Sequence, residues 1–158
     1  MKRIAVAAIA ILFSTVFAVA QEWPTQGVRI IVPFAAGATP DLVARMIADY
    51  LQAKVGQTFI VENKPGASGN TGTDAVAKAD PDGATIGVSI GGPLAINTLL
   101  FGNLPYDPRK DLALITMLVT QPSALAVNTS LGVSNTAELL DLIKRNPGKY
   151  NYGSIGTG

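Results

Sequence analysis

The segment from Val28 to Leu51, VRIIVPFAAGATPDLVARMIADYL, runs from an apolar strand through a loop of small residues straight into an amphipathic helix. Val28 to Val32 is an almost unbroken β-branched run, the pattern of a strand buried on both faces of a parallel sheet. In the helix Leu42, Val43, Met46, Ile47, Tyr50 and Leu51 recur at helical spacing, with Thr39 expected as N-cap, Pro40 at the first helical position and Gly56 as the stop. Such a junction aims backbone N–H groups and the positive end of a helix dipole at one place outside the strand's carboxyl end, where a small anion can sit. The loop Pro33 to Pro40 has no Lys and no GxGxxG pattern, so it suits a carboxylate better than a polyphosphate or a dinucleotide.

The same alternation continues. Thr58 to Glu62 reads as a second strand, and Asn63 to Asn70 as a second small-residue loop entering a short helix around Thr73 to Lys78. Pro81-Asp82-Gly83 is a turn, Thr85 to Ser89 a third strand, and Gly91-Gly92-Pro93 leads to a helix near Leu94 to Leu100. Leu104 to Pro108 is too proline-rich for an element interior. Leu112 to Leu118, Leu125 to Asn128 and Tyr150 to Ser154 are further strand candidates. Asn135 with Glu138 resembles a capping box opening a helix through Arg145, which Asn146-Pro147-Gly148 ends. The order predicts an α/β fold with a largely parallel sheet and flanking helices.

At the amino terminus Lys2 and Arg3 precede an apolar run from Ile4 to Phe17, followed by Ala18-Val19-Ala20. This is the layout of an export signal cleaved after Ala20, and the run is short of the roughly 20 residues a bilayer-spanning helix needs. Residues 1–20 are therefore expected to be a signal peptide and residues 21–158 one ligand-binding domain, periplasmic and without a permanent membrane anchor.

The whole sequence carries 12 Lys and Arg against 11 Asp and Glu, and loss of Lys2 and Arg3 brings the net charge from +1 to about −1. That leaves no footprint for a nucleic acid. There is no Cys and hence no disulfide framework. There is also no His, which removes the commonest general base, the Ser-His-Asp triad and most zinc sites. No catalytic residue, metal ligand or cofactor is expected.

Loops that follow parallel strands gather on one edge of the sheet, so Pro33–Pro40, Gly66–Asn70, Ser89–Pro93 and Ser154–Gly158 are expected to line a common crevice. Any one of them could be glycine-rich only because tight turns need glycine; four together favour a site. The candidate ligand-binding residues are Phe34, Ala35, Ala36, Gly37, Ala38, Thr39, Asp41, Gly69, Asn70, Ser89, Gly91, Gly92, Ser154, Gly156 and Thr157. Among them Ser89, Ser154 and Thr157 offer hydroxyls on glycine-flanked turns. Asp41, in the first helical turn, suits a capping role better than a ligand contact, and Arg45 one turn on suits the surface.

VPFAAGATPDLVAR, VENKPGASGNTGTDAVAKADPDG, LAINTLLFGNLPYDPRKDLALIT and NPGKYNYGSIGTG, in this order, resemble the solute receptors of tripartite tricarboxylate transporters, the Bug-type periplasmic receptors. The resemblance implies a periplasmic-binding-protein-like fold of two α/β domains. They close around a small organic acid held by backbone amides, hydroxyls and water. It also implies ligand contacts from the four loops and membrane transporter subunits as partners. Such receptors run to about twice this length, so the sequence is expected to hold the first domain and little of the second. Where relatives pair two glycines this chain has Gly37-Ala38, a position strained by roughly 1 kcal/mol if its φ must be positive.

The function expected is that of an extracytoplasmic receptor for a mono-, di- or tricarboxylate. The rival from another class is an exported α/β enzyme, a small hydrolase or transferase acting on a carboxylated metabolite. Against it stands the absence of His and Cys, although Gly87-Val88-Ser89-Ile90-Gly91 has the spacing of a GxSxG nucleophile elbow.

Overall fold

A computed structural model of the chain describes residues 23–154. The expected signal segment and its cleavage site lie outside the described residues, as do Gly156 and Thr157. Three parallel strands form the sheet: β1 (Val28–Val32), β2 (Phe59–Asn63) and β3 (Thr85–Gly87), in the order β2-β1-β3. Val28 lies opposite Phe59 and Val32 opposite Asn63, while Arg29 lies opposite Thr85. Helix α1 (Thr39–Val55) crosses from β1 to β2, and α2 (Asn70–Ala77) leads from β2 towards β3. The α/β expectation and the parallel sheet hold.

Central position explains why β1 is so apolar. Val28, Ile30, Ile31 and Val32 are all at most 1% exposed, each such side chain contributing about 1.5–3 kcal/mol by leaving water. Val28, Ile30 and Val32 share one face and pack with Ala44 and Ala48 of α1, Phe59 and Val88. The small side chains of Ala44 and Ala48 let the helix approach the strand closely. On α2, Gly72 permits a comparable approach, since a Cβ there would lie 2.7 Å from the Cα of Pro33. Trp23 closes the amino edge, its ring edge-on to Phe59 at 6.2 Å and its indole N–H donating to the Gly83 carbonyl at 3.2 Å.

Several boundaries differ from the sequence reading. Ala38, in extended backbone, is the N-cap of α1, so Thr39 is the first helical residue rather than the cap. Strand β3 ends at Gly87 instead of Ser89, and α2 starts at Asn70 instead of near Thr73. The helix expected over Leu94–Leu100 is a π-helical turn, Gly92–Ile96, running into one α-turn, α3 (Asn97–Leu100). Gly56 does end α1, in the left-handed conformation at φ 72°.

The candidates Leu112–Leu118, Leu125–Asn128 and Tyr150–Ser154 form no strands. Most of their apolar residues are exposed, Ile115 at 83% and Leu125 at 74%. A strand is stabilised by neighbours on either side, and β propensity without a partner holds nothing in place. Beyond them α4 (Thr136–Arg145) forms as expected. Asn135 Oδ1 accepts the Glu138 N–H at 3.0 Å, while Glu138 Oε2 accepts the Ser134 N–H at 2.7 Å. No helix among the described residues is long and apolar enough to cross a membrane.

Candidate functional site

Three of the four expected loops meet at the carboxyl edge of the sheet. The loop after β1 is tied to β2 by Asn63 Nδ2, which donates to the Phe34 carbonyl at 3.0 Å. Phe34 and Pro93 then close on Gly69 from two sides: a Cβ at Gly69 would lie 2.9 Å from Phe34 Cζ and 2.6 Å from Pro93 Cγ. Only glycine fits there, and its φ of +89° also favours glycine. Phe34, Gly69 and Asn70 therefore belong to the packed floor of this edge. Ala35, Ala36 and Gly37 stand exposed above it.

Asp41 organises the first loop. Its side chain is 2% exposed, and its two oxygens accept the Gly37 N–H at 2.8 Å, Asn63 Nδ2 at 3.0 Å and the Arg45 guanidinium at 3.0 and 3.1 Å. The Arg45 guanidinium, with the Gly37 amide and Asn63, holds the Asp41 carboxyl down at about 2. Asp41 is thus a brace between loop, helix and strand, with its lone pairs taken up by the protein. Arg45 is not a free cation either, since it also reaches Asn63 Oδ1 at 3.3 Å. Asn63, not among the expected site residues, is the hinge pin of this arrangement. Its place at the carboxyl end of β2 was the available signal.

The glycine question resolves locally. Gly37 takes φ +84°, whereas Ala38 sits at φ −70° and ψ 157°, so the alanine carries no strain. Strain lies instead in the second loop, where Gly66, Ala67, Ser68 and Gly69 all have positive φ. Ala67 at 47° and Ser68 at 55° cost about 1–2 kcal/mol each relative to ordinary backbone. Such a conformation persists only where surrounding bonds over-determine it.

Those bonds come from a buried polar cluster. Asn97 Nδ2 donates to Asn70 Oδ1 at 2.6 Å and to the Ser68 carbonyl at 3.2 Å. The Tyr106 hydroxyl lies 3.0 Å from Asn70 Oδ1 and 2.9 Å from the Pro93 carbonyl, with one proton to give between them. Burial pushes the Tyr106 phenol up, so it remains a donor. Neither Asn97 nor Tyr106 was among the expected site residues, although an Asn inside the apolar run LAINTLL was a legible signal.

The electrostatic character of the edge follows from what caps the helices. Neither α1 nor α2 has a side-chain cap, and the π-helical turn after Gly91 has none. Away from this edge the turn at 129–131 and α4 are both capped, by Asn128 and Asn135. The N–H groups of Ala35 and Ala36 find no acceptor among the described residues, and the Ser89 hydroxyl is buried without a partner among them. Unsatisfied donors on an exposed loop are what an anion requires, and here they are the Ala35 and Ala36 amides, since Asp41 and Leu42 donate to the Ala38 carbonyl and Gly69 and Thr71 to the Gly66 carbonyl. Lys64, the nearby cation, is already paired with Glu62 at 3.2 Å.

Other expected members are at the rim or outside this arrangement. Ser154 is exposed and makes no hydrogen bond among the described residues, while Gly91 is exposed and Gly92 and Thr39 half-buried at the rim. An open groove of about 390 Å³ lies at the opposite, amino edge of the strands. Its cations are spoken for, Arg29 by Thr85 and Glu62 and Lys78 by Asp74, so the carboxyl edge is the better candidate.

Residues 43–158, which include the second and third of these loops, match the tripartite tricarboxylate transporter family receptor. The chain belongs to that family. It is 39% identical over 155 residues to a UPF0065 protein of Bordetella pertussis, a match covering 97% of this chain and 47% of the relative. Among solved structures it is similar to Rpa4515 of R. palustris with adipate, at TM-score 0.76 and 36% identity over 81% of this chain and 43% of that one. MatC of Rhodopseudomonas palustris with bound malate aligns at TM-score 0.54 and 39% identity, over 56% of this chain and 30% of that one. The chain spans about half the length of the relatives it matches. One domain of a two-domain periplasmic binding protein is the architecture these coverages fit.

Proposed function

We propose that this chain forms one wall of an extracytoplasmic receptor cleft that holds a small organic acid by its carboxylate. The observation that carries the reading is the pair of free amides, Ala35 and Ala36, on the exposed loop before α1, a helix start without a side-chain cap, at the sheet edge where β3 also leads to the unpartnered Ser89 hydroxyl. Each amide bonded to a carboxylate makes a charge-assisted hydrogen bond, about twice as strong as a neutral one. The adipate and malate in the similar structures are both dicarboxylates, which supports this ligand class. Gly156 and Thr157 complete the proposed contacts with Ser154 once the second half of a receptor covers the cleft. The receptor then acts by domain closure and delivery to the transporter's membrane subunits, in the periplasm after loss of residues 1–20, with no chemistry on the ligand.

The test is a titration of the isotopically labelled chain with adipate and with malate, followed by amide resonances. One wall of a cleft binds at about millimolar strength, near −4 kcal/mol, which this measurement detects. Saturable shifts at Ala35, Ala36, Gly37, Gly69 and Ser89 are expected, with none from the corresponding diamides. Equal shifts from acid and amide would refute carboxylate recognition, and turnover of either compound would favour an enzyme.

A further inference from the structure

The proposed contacts come from loops after three different strands, yet nothing in a βα loop fixes its distance from the next. Between the second and third loops that distance is set by one buried cluster. Asn70 opens α2, Asn97 opens α3, and Tyr106 lies beyond both in the segment 102–108. All three are at most 6% exposed. Asn97 Nδ2 donates to the Ser68 carbonyl and to Asn70 Oδ1, and the Tyr106 hydroxyl shares its one proton between Asn70 Oδ1 and the Pro93 carbonyl.

We propose that Tyr106 is a positioning residue for the ligand: without touching it, its hydroxyl locks the strained 66–69 loop to the 89–93 loop and holds their donors in binding register. The proposal deepens the carboxylate reading and rests on it for its ligand effect. Three features favour a lock over ordinary core packing. The ring's burial alone would be satisfied by Phe, but its hydroxyl is placed between acceptors from two different site loops. The loop it stabilises carries two non-glycine residues at positive φ, a conformation that relaxes if its ties are cut. Gly69 at the loop's end is wedged between Phe34 and Pro93, so relaxation of one loop displaces the others.

Tyr106→Phe removes the lock and keeps the ring. Loss of one buried hydrogen bond predicts about five- to tenfold weaker adipate binding. Exchange of the Gly69 and Thr71 amides, which donate to the Gly66 carbonyl at 2.9 and 3.4 Å, should quicken in the free protein. Ile30→Val, a core change remote from the cluster, serves as a control that lowers stability without touching the loops. The proposal stands if Tyr106→Phe weakens binding at a temperature where it is fully folded and Ile30→Val does not. It falls if Tyr106→Phe binds as the parent does, or if both variants lose affinity in proportion to their melting temperatures. Should the parent bind no organic acid, the carboxylate reading fails by itself. Amide exchange then decides: selective quickening at Gly69 and Thr71 upholds the lock, and unchanged exchange overturns it. If Tyr106→Phe does not fold, Asn97→Leu cuts the same path at its other node and is read by the same two measurements.

Discussion

The Asp41 carboxylate accepts the Gly37 amide at 2.8 Å, so the first turn of α1 reaches back and closes the loop that introduces it. The two partners lie four positions apart, and the brace extends across to β2 through Asn63. A side chain read in sequence as a dipole partner is in the structure the fastener of the loop before α1. Asp41→Asn keeps the shape but sets two amide hydrogens against the donors of Arg45 and Asn63. Its melting temperature should fall by several degrees, and resonances of Ala35 to Gly37 should broaden. Thermal denaturation and amide spectra check both.

The same carboxylate gives a pH signature. It titrates at about 2 in the fold against an ordinary 3.8. A depressed carboxyl stabilises the fold in full above its unfolded value and loses that contribution as pH falls through 3.8 towards 2. The stability gap between the parent and Asp41→Asn should therefore be constant from pH 7 to about 5 and shrink towards pH 2. Asp107, also held low by the Arg109 amide and Lys110, is present in both proteins and cancels in the difference. Urea midpoints across this range are the measurement, and a gap that stays flat down to about pH 2 would contradict the assignment.

Two glycines of similar appearance in sequence should behave oppositely. A Cβ at Gly72 would stand 2.7 Å from the Pro33 Cα and 2.8 Å from the Lys64 carbonyl oxygen, both backbone atoms that cannot rotate away. Gly72→Ala is expected to cost about 1–3 kcal/mol despite alanine's better helix propensity. At Gly91, φ is −58° and nothing lies within 4 Å, so Gly91→Ala should stay within about 0.5 kcal/mol of the parent. Chemical denaturation of the pair distinguishes close backbone approach from mere turn chemistry.

Helix α4 offers a local prediction. Asn135→Ala removes the acceptor of the Glu138 amide and should destabilise the helix by about 1 kcal/mol. Because α4 scarcely touches the sheet or the other helices, the loss should appear as faster exchange at Glu138 and Leu139 while β1 amides stay protected. A drop in protection at Ile30 or Ile31 would show that α4 is coupled to the core after all.

The sequence made legible what is local and periodic. The β-branched run Val28–Val32, the apolar stripe of α1 with Gly56 at its end, and the Asn135–Glu138 cap each carry their own signal within a few residues. That three of the four expected loops share one edge was also legible, because a strand followed by small residues and a helix determines which edge they occupy. What escaped was long-range. Leu112–Leu118 and Leu125–Asn128 have the composition of strands, but a strand is made by its neighbours, and no pattern within a segment reports whether they are present. The positive φ at Ala67 and Ser68 was hidden for a similar reason, since it is imposed by Asn97 and Gly69 packing rather than by the residues themselves. The path from Asn97 through Asn70 to Tyr106 joins positions 36 residues apart in sequence, and only the fold reveals that they meet.

Uncapped helix starts have a consequence at the bench as well as in the cell. In the proposed reading, main-chain amides read negative charge before shape, so acetate, phosphate, sulfate and citrate in a buffer are expected to compete for them. A competing ion at about ten times its own dissociation constant weakens the apparent affinity for the true ligand about elevenfold, following the mass-action form of linkage. Under the proposed reading, the order of preference among organic acids is set by the protein and its solvent together. The fold, by leaving α1 and α2 without side-chain caps, makes the choice of counter-ion an experimental variable.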